Sequence, residues 1–252
     1  MNNETMESIE IKAFFRNALK FFVFMFGLSA QWSLAGEDLI TTAQYASGES
    51  VPYVLTYKTL APKHVVILFP GGMGNVDPHM EKGKLVYKAK GNFLLRARHF
   101  IVDHEFATVA TNASQSAERI QAVIDDLKNR FPGAQIYLMG TSRGTFDTVA
   151  LADYLSDKIA GEIHTSSMWH IASFDTRKYA NRHLIVHHRN DACHATPFAA
   201  AETSHERYGS ELIVMEGGIS VGDPCEAFAY HGYNGIEQET AAAIKRWIKQ
   251  GK

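Results

Sequence analysis

From residue 53 onward, hydrophobic and polar positions follow two rhythms, and the chain switches between them repeatedly. Residues 53–59 (YVLTYKT) alternate and predict a strand. Residues 64–70 (HVVILFP) form an unbroken β-branched and aromatic run, as expected for a strand buried on both faces. A helical stretch around 92–106 and a short strand at 107–111 come next. Ile120, Val123, Ile124 and Leu127 then recur at helical spacing before Phe131-Pro132-Gly133 stops the helix. Residues 135–140 (QIYLMG) predict a strand, after which Leu151, Leu155 and Ile159 mark one face of a helix. Residues 161–169, 182–188 and 210–216 are three further strand candidates. Ile236, Thr240, Ile244, Trp247 and Ile248 outline the buried side of a terminal helix.

Strands alternating with helices predict an α/β class, with a mainly parallel sheet and helices on both of its faces. In such sheets ligand chemistry collects at the carboxyl ends of the strands. The longest insertion, Met73 to Glu105, is placed to wall one side of a site there.

The first 35 residues have a different character. Lys12, Arg16 and Lys20 precede the apolar run 21–30 (FFVFMFGLSA), and a small-x-small ending follows at Ser33-Leu34-Ala35. This is the layout of a secretory signal, with residues 1–35 removed and a mature domain over 36–252. The run is shorter than the roughly 20 residues that span a bilayer. An uncleaved anchor is the competing reading, Glu4, Glu7 and Glu10 dilute the basic region, and Met6 is an alternative start. Export to a periplasm or to the medium, without stable membrane association after cleavage, is the expectation.

Composition narrows the picture further. With 252 residues, 46% hydrophobic, one domain has ample core. A net charge of -2 forces no basic face, so no nucleic-acid partner is expected.

Candidate chemistry begins at Gly140-Thr141-Ser142-Arg143-Gly144, a G-x-S-x-G pattern between a predicted strand and a predicted helix. There the glycines relieve crowding at a sharp turn and Ser142 Oγ is held above the sheet. A serine hydroxyl needs a base to take its proton, and the base needs an orienting acid. Asp191 follows the strand 182–188, and His231 lies between the last strand and the terminal helix, giving the order Ser, Asp, His. His170, His187, His188 and His194 compete as bases, and Asp175 and Asp223 as acids. For the oxyanion, the backbone N–H of Arg143 is one expected donor, and Gly72 or Met73, after the early strand, the other. Gly72-x-Gly74 lacks the third glycine of a dinucleotide loop, so a plain glycine turn is its remaining rival. His183, His187, His188 and His194 lack the spacing of known metal motifs, and no metal or other cofactor is expected.

On Gly71-Gly72, Gly140-x-Ser142-x-Gly144, Asp191 and His231, the chain resembles the α/β-hydrolase superfamily over nearly all of residues 36–252. Its oxyanion loop departs from the His-Gly form common in lipases and esterases. The resemblance implies a serine hydrolase that cleaves an ester, thioester or amide of a small molecule through an acyl-enzyme. A hydrolase-fold protein that only binds is the alternative. Few residues separate the strand candidates 161–169 and 182–188, where many such enzymes insert a lid, so little or no lid is expected. If the triad assembles, the loops holding Asp191 and His231 converge. A disulfide between Cys193 and Cys225 is then expected, with about 3 to 4 kcal/mol from chain entropy.

Overall fold

The computed structural model describes residues 36–45 and 47–251. The expected signal segment, 1–35, lies outside the described residues. Ten strands are described: β1 (Glu37–Gln44), β2 (Ser50–Tyr57), β3 (His64–Phe69), β4 (His79–Glu81), β5 (Lys84–Val86), β6 (Phe106–Ala110), β7 (Gln135–Thr141), β8 (Gly161–Thr165), β9 (Arg182–His188) and β10 (Glu211–Met215). Five α-helices are interleaved: α1 (Phe93–Ile101), α2 (Ala117–Arg130), α3 (Gly144–Leu155), α4 (Phe198–Tyr208) and α5 (Glu237–Lys249).

Eight strands form one sheet in the order β1-β2-β6-β3-β7-β8-β9-β10, and β4 pairs with β5 as a separate hairpin. From β6 to β10 every pairing is parallel, while β1–β2 and β2–β6 are antiparallel. The expected mainly parallel sheet is therefore present. Alternate residues of each central strand enter opposite cores, as the two-residue strand period dictates. Val66, Leu68, Met139, Ile163 and Val186 pack with α1 and α5. Val65, Ile67, Phe69 and Leu138 pack with α2 and α3 on the other face. A smaller cluster, with Ile185 and Ala201, seats α4 on that second face. Each such aliphatic side chain contributes about 1.5–3 kcal/mol by leaving water.

Several boundaries differ from the sequence pattern. The strand expected over 161–169 ends at Thr165, because Ser166 takes a positive φ of 41° and breaks the ladder. The chain then runs through two short 3-10 turns, Trp169–Ser173 and Thr176–Lys178, straight into β9. No helical insertion covers the sheet's carboxyl edge there. α4 and β1 carry no clear apolar period and become legible only through their contacts.

Candidate active site

Ser142 sits between the end of β7 and the start of α3, with φ of 52° in the left-handed region. For a residue other than glycine this backbone is costly, on the order of 1–2 kcal/mol, so its surroundings must hold it. The Ser142 N–H donates to Thr165 O on β8 at 3.0 Å, and its carbonyl accepts from Thr145 N at 2.9 Å. The flanking glycines are sterically required. A Cβ on Gly140 would lie 2.5 Å from Gly144 O, and one on Gly144 would lie 2.3 Å from Phe69 O. Gly71 is also constrained, since its Cβ would stand 2.9 Å from Ser142 Cβ. The loop after β3 thus lies directly against the serine.

Asp191 follows β9, and its side chain is fully buried. Oδ1 accepts from Cys193 N at 2.9 Å. Oδ2 accepts from His231 Nδ1 at 3.0 Å and from Thr196 Oγ1 at 3.0 Å, and His187 Nε2 stands 3.3 Å away. Burial alone would raise this carboxyl's pKa. The hydrogen bonds from His187 and His231, with that from Cys193 N, outweigh burial and hold it well below the usual carboxylate range.

His231 lies in the loop before α5 and is nearly buried. Nδ1 is 3.0 Å from both Asp191 Oδ2 and Thr196 Oγ1. Thr196 has one hydroxyl proton, and the carboxylate takes it. Its oxygen then accepts from Nδ1–H, and these partners assign the tautomer that leaves a lone pair on Nε2. Ser142 and His231 line one cleft of about 410 Å³, together with Gly71, Gly72, Phe93 and Phe228. Among the described residues no hydrogen bond joins the Ser142 hydroxyl to His231; such contacts commonly close only when substrate binds.

The loop that holds His231 is fixed from several directions. Ser166 Oγ donates to His231 O at 2.7 Å, and Tyr233 OH donates to Val186 O at 2.7 Å. Arg96 Nη1 donates to Ala227 O at 3.0 Å, and Nη2 to Gly232 O at 3.0 Å. A disulfide joins Cys193 to Cys225 across Cα atoms 4.5 Å apart, tying the Asp191 loop to the His231 loop.

The expected oxyanion donors are placed as follows. Arg143 precedes the first turn of α3 and its side chain is exposed. Gly72, at φ 64°, lines the cleft, whereas Met73 is 81% exposed and is not part of the lining. Ala89, Gly91, Asn92 and Phe93, from the segment between β3 and β6, form one wall. The rival candidates lie elsewhere or play other parts. His188 Nε2 hydrogen-bonds Gly217 O at 2.9 Å, and His170 stacks on Phe146 at 4.1 Å. Asp175 caps a 3-10 turn and pairs with Arg177 at 2.7 Å. Thr196 and Arg96 are additions the sequence did not mark, and His187, a rival base in the sequence, stands instead beside the Asp191 carboxylate.

No family model matches this sequence, and no curated protein matches it. Solved structures match in three dimensions. A dienelactone hydrolase from Anabaena variabilis aligns over 86% of this chain and 99% of its own, with a TM-score of 0.62 and 10% identity. A cold-adapted esterase from an Arctic intertidal metagenomic library aligns over 90% and 99%, with a TM-score of 0.58 and 10% identity. A serine hydrolase without a lid from Xanthomonas campestris aligns over 84% and 95%, with a TM-score of 0.55 and 13% identity. At these identities the likeness is one of architecture, and it agrees with the strand order and the open carboxyl edge: the chain has the α/β-hydrolase fold, with little or no lid.

Proposed function

We propose that the chain is a serine hydrolase that forms an acyl-enzyme, with Ser142 as nucleophile, His231 as general base and Asp191 as the acid that orients it. The observation that carries this reading is the Asp191–His231 hydrogen bond of 3.0 Å, with His231 lining the same cleft as a strained serine. His231 Nε2 takes the Ser142 proton as Oγ attacks the carbonyl carbon, and the imidazolium formed is stabilised by the buried Asp191 carboxylate. The oxyanion that develops is held by the N–H of Arg143 and by that of Gly72, aided by the N-terminus of α3. His231 then protonates the leaving group, and water repeats the sequence to release the acid.

The substrate class is a small carboxylic ester, with thioesters and amides served by the same chemistry. A cleft of about 410 Å³ walled by Phe93 and Phe228 suits a short acyl group. The disulfide supports residence in an oxidising compartment, in line with an exported protein whose signal is residues 1–35. Among the described residues no helix is long and apolar enough to cross a membrane.

The experiment is covalent labelling of the purified protein with a fluorophosphonate, beside hydrolysis of short p-nitrophenyl esters. Labelling and turnover that both vanish in Ser142→Ala are expected. Labelling that persists in that variant overturns the assignment. A wild-type protein that neither labels nor turns over leaves a binding role on the hydrolase fold.

A further inference from the structure

On the second face of the sheet, outside the cleft that Ser142 lines, three ligating side chains converge in the interior. Glu162 and His164 lie two residues apart on β8 and so share a face, and His183 on β9 is the register partner of Glu162. All three side chains are at most 2% exposed. Glu162 Oε2 is 4.0 Å from His164 Nε2 and 3.9 Å from His183 Nδ1, and the two nitrogens are 3.5 Å apart.

The other nitrogen of each ring is already engaged. His164 Nδ1 is 2.9 Å from Thr148 Oγ1, whose own proton has an acceptor in Thr145 O at 3.2 Å. His183 Nε2 is 3.0 Å from Asn181 Oδ1, which only accepts. With protons on both outer nitrogens, both inner ones present lone pairs to each other and to a carboxylate, which is the state a cation would select. With Thr148 Oγ1 donating to His164 Nδ1 instead, His164 Nε2–H donates to His183 Nδ1 at 3.5 Å, and Glu162 is left unpaired in either state. Neither Glu162 oxygen has a hydrogen-bond partner. A proton on that carboxyl does not resolve the arrangement, because 3.9 and 4.0 Å exceed hydrogen-bond reach to either ring.

We propose that Glu162, His164 and His183 form a binding site for a divalent first-row transition metal, with zinc the ion that these donors suit best. The point equidistant from the three atoms, the circumcentre of a triangle with sides 3.5, 3.9 and 4.0 Å, lies about 2.2 Å from each. Zinc binds imidazole nitrogen at about 2.0–2.1 Å and carboxylate oxygen at about 2.0–2.2 Å, so a small contraction, with both rings turned from the axis along which their nitrogens now face each other, seats it. Glu162 Oε1, also without a partner, offers a fourth donor atom. Thr148 and Asn181 supply the outer hydrogen bonds that orient metal-binding histidines. Burial on all sides leaves no open face for substrate, so the role is structural. The ion clamps β8 to β9 and, through Thr148, steadies α3, the helix that follows Ser142. Among the described residues Cys193, His194 and Cys225 also converge, but the two sulfurs are bonded to each other and offer no thiolate.

The test is metal analysis of the full chain, produced without a histidine tag in zinc-supplemented medium and purified without chelator. About one zinc per chain is expected in the wild type, and less than a tenth of that in Glu162→Gln and in His183→Gln. Less than a tenth of an equivalent in the wild type overturns the proposal, as does undiminished zinc in both variants. Should the variants fail to fold, the wild type itself decides. Unfolded in urea with EDTA, its disulfide intact, it is refolded with or without equimolar zinc sulfate. A melting temperature at least about 5 °C higher with zinc is expected, and identical melting curves overturn the proposal.

Discussion

Arg96 and Glu237 meet at 2.8 Å across 141 residues of sequence, and the same guanidinium holds the backbone on both sides of His231 through Ala227 O and Gly232 O. The pair thus links α1 and α5 while fixing the position of the proposed base. Arg96→Ala removes three backbone anchors and leaves Glu237, whose side chain is 18% exposed, without its partner. A loss of about 2–3 kcal/mol in urea denaturation is expected, together with a fall in kcat of at least about tenfold at nearly constant KM. A changed KM with unchanged kcat would place Arg96 at substrate instead.

Thr196 is the less obvious partner of the Asp191–His231 pair. Thr196→Val keeps the shape but deprives Asp191 of a donor and His231 Nδ1 of an acceptor. Each lost hydrogen bond to a charged or charging group is worth about 1.5–3 kcal/mol, so kcat should fall about 10- to 100-fold. Asp191→Asn, which disturbs the tautomer itself, should cost about 10⁴-fold. Steady-state kinetics on a p-nitrophenyl ester give both numbers.

The low pKa of Asp191 predicts a simple acid limb. Its carboxylate stays ionised throughout the usual assay range, so log kcat/KM should rise with a slope of one, from a single ionisation, rather than two. Stability follows the same sign. The folded pKa is depressed, so this stabilisation is fully present above the unfolded value of about 3.9 and is lost as pH falls below it. Urea midpoints measured between pH 7 and pH 3 should drop most steeply at the acid end, and less so in Asp191→Asn.

Breaking the Cys193–Cys225 bond should affect fold and activity together. The double variant Cys193→Ala, Cys225→Ala should lose about 3–4 kcal/mol through the freed unfolded chain. Cys193 N also hydrogen-bonds Asp191 Oδ1, so the loosened loop should lower kcat more than KM. Wild-type protein under strong reductant should approach the variant in both respects, which equilibrium denaturation and kinetics can read side by side.

Much of the architecture was legible because its signals are local. The run 64–69 is β-branched and buried, and it forms a central strand. The G-x-S-x-G stretch marks its own turn, since Gly140 and Gly144 are needed where no Cβ fits. α4 was not legible, because alanines and polar residues occupy its buried face at Ala200, Ala201 and Ser204. β1 was missed as an edge strand with Ala43 its one buried position. Within the candidate site, Asp191 and His231 could be placed by their order at strand ends. Thr196, His187 and Arg96 act through contacts closed only by the tertiary fold, and the cluster of Glu162, His164 and His183 is built across two strands.

The direct passage from β8 through two 3-10 turns into β9 places no helical insertion over the carboxyl edge there. In the proposed hydrolase, an open cleft of this kind would let substrate enter and product leave at the pace of diffusion and of the chemistry. Turnover of dissolved esters should follow plain saturation, with no jump in rate when the substrate begins to form droplets or micelles. For the proposed hydrolase, selectivity rests on the side chains that line the cleft, Phe93 and Phe228 among them, and reshaping them is the direct way to change what Ser142 would accept.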